Sequence, residues 1–309
     1  MVVQNILITG ITGSVGHYLF DLLANDERYH LFLALRDPQK LRRDLNQYRN
    51  VTIVKTMLQN LPKEKELLRQ MDYVVFIATS WGGFREPWRV NVYPTIRALR
   101  RLDPQRIKKV IYFSTASILD KDHQPVEAIR EIGTNYIRSK FLTHKILQYN
   151  KLKDKIITIF PNWVYGGDSA HPFSHAAAGL RGIKKWMRLL KYFTLDFRFH
   201  FIHCADIAAI VKYMLEHEMD KNEYVLGNAQ LTVGGFLKEI AAYYGQKTLF
   251  QIPMPPRLLL LLARLAKKHP WDIYCLGYRQ FVYDTVSCRT FDLPSEVDTI
   301  AGVLRSLEK

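Results

Sequence analysis

An apolar run over residues 2–9 ends directly in Gly10-Ile11-Thr12-Gly13-Ser14-Val15-Gly16, and no other feature constrains the chain so strongly. Glycines three apart permit a tight reversal and let backbone amides approach an anion. The next residues carry Leu19, Phe20 and Leu23 at helical spacing. A strand, a glycine turn and a helix N-terminus in that order make a site for pyrophosphate, because unpaired N–H groups and the helix dipole favour negative charge. Gly10, Thr12, Gly13, Ser14, Val15 and Gly16 are therefore candidate ligands of a dinucleotide.

The alternation continues. Apolar runs over residues 31–35, 51–54, 73–78, 109–114 and 156–160 read as strands, and residues 92–102 and 135–149 as helices, with Pro94 in a first turn. Strands such as YVVFIA (73–78) are apolar on both faces, as in a parallel sheet covered on both sides. The expected fold is α/β, a doubly wound parallel sheet (Rossmann-like), with a smaller, mostly helical substrate lobe. The expected division assigns 1–165 plus 201–228 to the dinucleotide domain, and 166–200 plus 229–309 to the lobe.

Ligands of such sheets bind beyond the carboxyl ends of the strands. At the end of the second strand stands Arg36, where a carboxylate would hold the ribose hydroxyls of NAD and a cation suits the 2′-phosphate of NADP. NADP is the expected cofactor; Asp37, one residue on, keeps NAD open. Ala78, at the end of the fourth strand, is expected beside the same ligand.

Tyr136 and Lys140 lie one helical turn apart on one face. A neighbouring ammonium stabilises a phenolate and is expected to pull the tyrosine down toward working pH, so that it can exchange a proton with a hydroxyl or carbonyl during hydride transfer. With 17 tyrosines, chance alone supplies about one Tyr-x-x-x-Lys pair. Tyr149/Lys153 and Tyr243/Lys247 share the spacing, but only Tyr136 opens a helix shortly after the fifth strand, whose end carries Ser114-Thr115-Ala116-Ser117.

Together these elements resemble the extended short-chain dehydrogenase/reductase superfamily, of the NAD(P)-dependent epimerase/dehydratase type, over residues 2–211. The resemblance extends to Asn91 in Val90-Asn91-Val92, to Pro161-Asn162-Trp163-Val164-Tyr165-Gly166 and to Phe201-Ile202-His203-Cys204-Ala205-Asp206. It implies Thr115 as catalytic hydroxyl, Tyr136 as acid/base and Lys140 as cofactor and proton partner. It adds Asn91, Pro161 and Val164 to the cofactor contacts and makes Asp206 the cap of the next helix. Ala116-Ser117 stand where dehydratase members carry Asp-Glu, so the resemblance implies an oxidoreductase or epimerase and not a 4,6-dehydratase.

The remainder is less specific. Cys204, Cys275 and Cys288 form no metal-binding or disulfide pattern, so no metal is expected, and a reducing cytoplasm is the simpler setting. A net charge of +15 is spread along the chain without a nucleic-acid-binding signature, so no nucleic acid is expected. Residues 179–191 (GLRGIKKWMRLLK) read as a basic amphipathic helix that covers the core, holds a substrate diphosphate or lies on an anionic membrane. The small-molecule substrate is left open between a nucleotide sugar and an isoprenoid- or lipid-linked compound, and a homodimer is left open too. A non-catalytic dinucleotide sensor or assembly subunit is the competing reading.

Overall fold

The computed structural model describes residues 3–309; Val2, included above in the first apolar run, lies outside the described residues. Six parallel strands form by residue 161: β1 Gln4–Thr9, β2 Tyr29–Leu35, β3 Val51–Lys55, β4 Tyr73–Phe76, β5 Lys109–Phe113 and β6 Ile156–Pro161. With β7, Glu223–Leu226, they make one parallel sheet in the order β7-β6-β5-β4-β1-β2-β3. The chain leaves β1 in one direction for β2 and β3, then returns to the other side of β1 as β4. That reversal opens a crevice over the carboxyl ends of β1 and β4.

Side chains alternate across the sheet. Ile6, Ile8, Leu31, Leu33 and Val75 pack on one face against α1 (Ser14–Leu23) and the helix Cys204–Glu216. Leu7, Val74, Phe76 and Val110 pack on the other with Ile96 and Leu99 of the helix Tyr93–Leu99. Removing this much apolar surface from water supplies the main drive to fold, about 25 cal/mol per Å².

Two further clusters lie beside the sheet. One joins Tyr165, Leu180, Met187, Leu237, Ile240 and Val303. The other packs Trp271 and Tyr283 against Ile118, Tyr136 and Phe160, so the aromatic C-terminal stretch reaches the end of β5.

The expected helix at 179–191 forms differently. A helix runs over His175–Ile183, a tighter turn follows at Lys184–Trp186, and Met187–Leu190 is helical again. The change of period buries Met187 but leaves Trp186 64% exposed, so Trp186 does not join the apolar face. Asp206 is also corrected. His203 caps Cys204–Glu216, its Nδ1 accepting from Ala205 N at 3.1 Å. Asp206, two residues inside the helix, instead accepts from the Ser295 hydroxyl at 2.8 Å and fastens the C-terminal segment.

Candidate active site

The turn after β1 is built by steric necessity. Gly10 adopts φ +75°, and a Cβ there would lie 2.5 Å from Ala78 N. A Cβ on Gly16 would lie 2.5 Å from Gly10 O, which keeps α1 close against β1. Gly13 N–H donates to Gly10 O at 3.0 Å and starts α1, which has no side-chain cap and no acid in its first turn. Its first N–H groups therefore stand at the cleft without a side-chain acceptor from the helix's own first turn.

That cleft has a volume of about 1230 Å³, above the roughly 300–1,000 Å³ of a pocket for one small molecule. Gly10, Thr12, Gly13, Ser14, Val15, Arg36 and Ala78 line one end, and Thr115, Tyr136, Lys140, Pro161 and Val164 line it farther along. Gly16 stands behind the wall. So does Asn91, expected as a cofactor contact but 1% exposed, its amide already fully used within the chain. Asn91 Oδ1 accepts from Ser80 N at 2.9 Å and Thr79 Oγ1 at 3.2 Å, while Nδ2 donates to Ser80 O at 3.1 Å and Ser139 Oγ at 2.9 Å. It fixes the loop after β4 onto the helix Asn135–Leu147, which carries Tyr136 and Lys140.

Arg36 is exposed on the cleft wall and makes no side-chain bond among the described residues. Asp37 accepts from Gln39 N at 3.1 Å and caps the turn Pro38–Leu41, which engages its carboxylate. Arg43 is also engaged, in a 2.7 Å ion pair with Asp21.

Thr115, Tyr136 and Lys140 meet at the ends of β5 and β6. Thr115 accepts from Ser117 N at 3.3 Å and starts a short turn, with its hydroxyl beside the Tyr136 phenol. Lys140 is 1% exposed and donates to Phe113 O at 2.6 Å. An ammonium has three donors; this is the one hydrogen bond Lys140 makes among the described residues, and its ammonium also lies over the Tyr112 ring at 5.1 Å. The competing pairs stand elsewhere: Tyr149 is 87% exposed, and Tyr243 donates to Glu308 at 2.7 Å.

The electrostatics reverse the expectation that Lys140 acidifies Tyr136. Burial raises the phenol well above its usual value, and the Thr115 hydroxyl offsets this only in part. Burial also lowers Lys140 to about 7. At that value Lys140 is only partly charged near neutral pH, and its charge is not among the influences on the phenol. The arrangement offers a neutral phenol, a proton donor, in the same cleft as a buried lysine.

Sequence reasoning missed the residues that cover this pair. Trp81 stacks on the Tyr136 ring at 4.0 Å between centroids, and His175 meets Trp81 edge-on at 5.8 Å. Trp163, Phe173, Phe197, Cys275, Phe281 and Tyr283 complete that end. Tyr283 is anchored by donating to Ala116 O at 3.0 Å. Trp81 stands just past the end of β4, a position that the strand-end rule would have flagged.

A dinucleotide fits what is here: a glycine cradle closed to any Cβ, an uncapped helix N-terminus, a free cation at the end of β2 and a buried lysine with donors to spare.

Among solved structures, gox2253 superposes with a TM-score of 0.66 at 18% identity, covering 91% of this chain and 90% of that one. The UDP-glucuronic acid 4-epimerase of Bacillus cereus, in complex with UDP-glucuronic acid and NAD, gives 0.58 at 19% identity over 81% and 86%. The dTDP-glucose 4,6-dehydratase of Bacillus anthracis, in complex with NAD, gives 0.59 at 17% over 81% and 84%. At these identities they share the fold with this chain. No curated protein sequence matches. The sequence model of the NAD dependent epimerase/dehydratase family matches residues 6–227, well over half of the chain. The chain belongs to the NAD dependent epimerase/dehydratase family.

Proposed function

We propose that the protein is an NADP-dependent oxidoreductase that reduces a carbonyl carbon, or oxidises the corresponding alcohol, and that Tyr136 is its proton donor. The carrying observation is the convergence of Thr115, Tyr136 and Lys140 on the same cleft as the glycine turn and Arg36. The nicotinamide, when bound, supplies or accepts hydride. Thr115 holds the substrate oxygen beside the phenol, and Tyr136 gives it a proton as negative charge develops. Lys140 uses its free donors to orient the ribose and to return a proton toward Tyr136. Arg36 meets the 2′-phosphate through charge-assisted hydrogen bonds.

A neutral phenol is the protonation state that can donate to a developing alkoxide. The substrate end favours an uncharged, apolar compound. Its walls are Trp81, Trp163, Phe173, Phe197, Phe281 and Tyr283, with no lysine or arginine besides buried Lys140; Arg89 at the rim faces Glu86 at 3.5 Å. Among the described residues a sugar diphosphate would find only Arg89, loosely paired with Glu86, to meet it there. A nucleotide-sugar epimerase is the second reading, favoured by what the superposed B. cereus enzyme binds. Ala116-Ser117 beside Thr115 offer no acid pair for elimination, which argues against a dehydratase.

The test follows reduced nicotinamide during incubation with apolar ketones and, separately, with UDP-sugars. Net NADPH consumption with ketones is expected, and Tyr136→Phe lowers kcat by roughly 10²- to 10⁴-fold while leaving dinucleotide affinity intact. Arg36→Ala weakens NADPH by roughly tenfold or more and NADH little. Interconversion of sugars without net NADPH use would establish the epimerase instead. Equal background rates from wild type and Tyr136→Phe on both panels would leave only dinucleotide binding.

A further inference from the structure

A second surface, away from the cleft, is unusual for a water-soluble face. The helix Pro256–Leu265 exposes Leu258, Leu261, Leu262 and Leu265, an i, i+3, i+4, i+7 stripe, and buries Ala263 on its other side. An amphipathic helix on a soluble core ordinarily turns such a stripe inward. Here Leu265 is 71% exposed. The segment leading into the helix adds Leu249, 84% exposed, with Phe250 and Ile252.

This segment is tied to the irregular helix described above. Ile252–Pro253 pairs in parallel with Phe193–Thr194, Tyr192 stacks on Phe250 at 5.0 Å, and Lys191 donates to Lys247 O at 2.9 Å. Trp186 and Leu189, both exposed, stand a few residues before this join in the chain. Scattered single apolar residues need no explanation, but a joined group of this size marks an interaction surface.

The charges within these two segments are all of one sign. Residues 175–194 carry Arg181, Lys184, Lys185, Arg188 and Lys191, and residues 244–268 carry Lys247, Arg257, Arg264, Lys267 and Lys268, with no Asp or Glu in either segment. None of these ten side chains is in an ion pair among the described residues. Elsewhere the chain pairs its surface cations freely, as in Arg28 with Glu216 and Arg289 with Asp298.

We propose that this face docks on an anionic lipid surface, with the leucine stripe and Trp186 entering the interface and the ten cations meeting lipid phosphates. No helix among the described residues is long and apolar enough to cross a membrane, so the association is peripheral. Each basic side chain near an anionic leaflet contributes about 1 kcal/mol, and the exposed leucines add apolar burial. A second copy of the chain is a poorer occupant, because a symmetric contact would set one cationic patch against its twin. The surface stands independently of the chemistry in the cleft. It is also continuous with it, since the strand Phe193–Thr194 leads on to Phe197 in the cleft wall.

Flotation of the full chain with vesicles tests this. Strong binding is expected to vesicles of mixed phosphatidylglycerol and phosphatidylcholine, and roughly tenfold or more weaker binding to phosphatidylcholine alone. Leu261→Asp with Leu265→Asp, and separately Lys267→Glu with Lys268→Glu, should each lower binding by roughly tenfold. Both variants add negative charge, but the lysine pair changes the patch by four charges rather than two and should flatten the salt dependence more. Unchanged melting and dinucleotide binding in these variants confirm that the fold and cleft are intact. Absence of vesicle binding by wild type overturns the proposal, as does equal binding to neutral vesicles. A dimer in sedimentation that Leu261→Asp/Leu265→Asp abolishes would assign the face to a second copy and overturn it too.

Discussion

The two ends of the cleft are built from different materials. The glycine-turn end comes from backbone: the ends of β1, β2 and β4 and the first N–H groups of α1, which are positioned by sheet register and need little from side chains. The opposite end comes from side chains that sequence keeps far apart, among them Trp81, Phe173, Phe197 and Tyr283. The first end tolerates almost no added atom, and the second can be reshaped one ring at a time. A fold can therefore keep its cofactor while its substrate changes, because the two specifications lie in separate parts of the chain.

Gly10→Ala should break the backbone end most severely. The new methyl meets Ala78 N at 2.5 Å in a φ +75° conformation that L residues rarely adopt. Strain and overlap together should cost about 3 kcal/mol, or roughly 100-fold in dinucleotide affinity if the turn yields rather than the fold. Titration calorimetry and thermal melting divide the loss between binding and stability. No change in either would mean that the turn is not the constrained element described here.

Lys140→Met probes the border between the two ends. Burial holds Lys140 at about 7 against 10.5 when solvated, so folding opposes its charge. The unfolded chain binds this proton more readily than the folded one between those two values, and stability from this group therefore rises with pH across that window. Below pH 7 the full penalty remains. Methionine removes it, so the variant should be more stable than wild type by about 2 kcal/mol at pH 7. The gap should narrow toward pH 10, while reduction is lost. A variant less stable than wild type at pH 7, or a gap that widens with pH, would contradict the buried charge.

Legibility followed the same divide. The sheet, the glycine turn and the position of Tyr136/Lys140 at the cleft, unlike the two equally spaced pairs, were readable, because periodicity and strand-end position are local signals. What was not readable depended on contacts across the chain. Asn91 was expected against the cofactor, but its amide is saturated by Thr79, Ser80 and Ser139. His203 caps where Asp206 was expected, since Ser295, some ninety residues on, holds the aspartate. The phenol's direction of shift depended on burial, which no spacing rule reports. The broken helix over residues 175–190 exposes Trp186 because tertiary packing of Met187 overrides the simple helical period.

Trp81→Ala should give the smallest effect and sharpen the contrast most. Trp81 is 57% exposed, so its removal leaves the core filled and the melting temperature nearly unchanged. Its stacking on Tyr136 contributes about 1 kcal/mol, and an apolar substrate that shares this face should lose a similar amount, roughly fivefold in KM. The affinity for dinucleotide should stay as it was, because the glycine turn and Arg36 lie at the other end. Polar substrates too large for the wild-type mouth should instead gain, since the indole narrows the entrance beside His175. A parallel loss of dinucleotide affinity would show that Trp81 also covers the cofactor, and the separation of the two ends would fail at this residue.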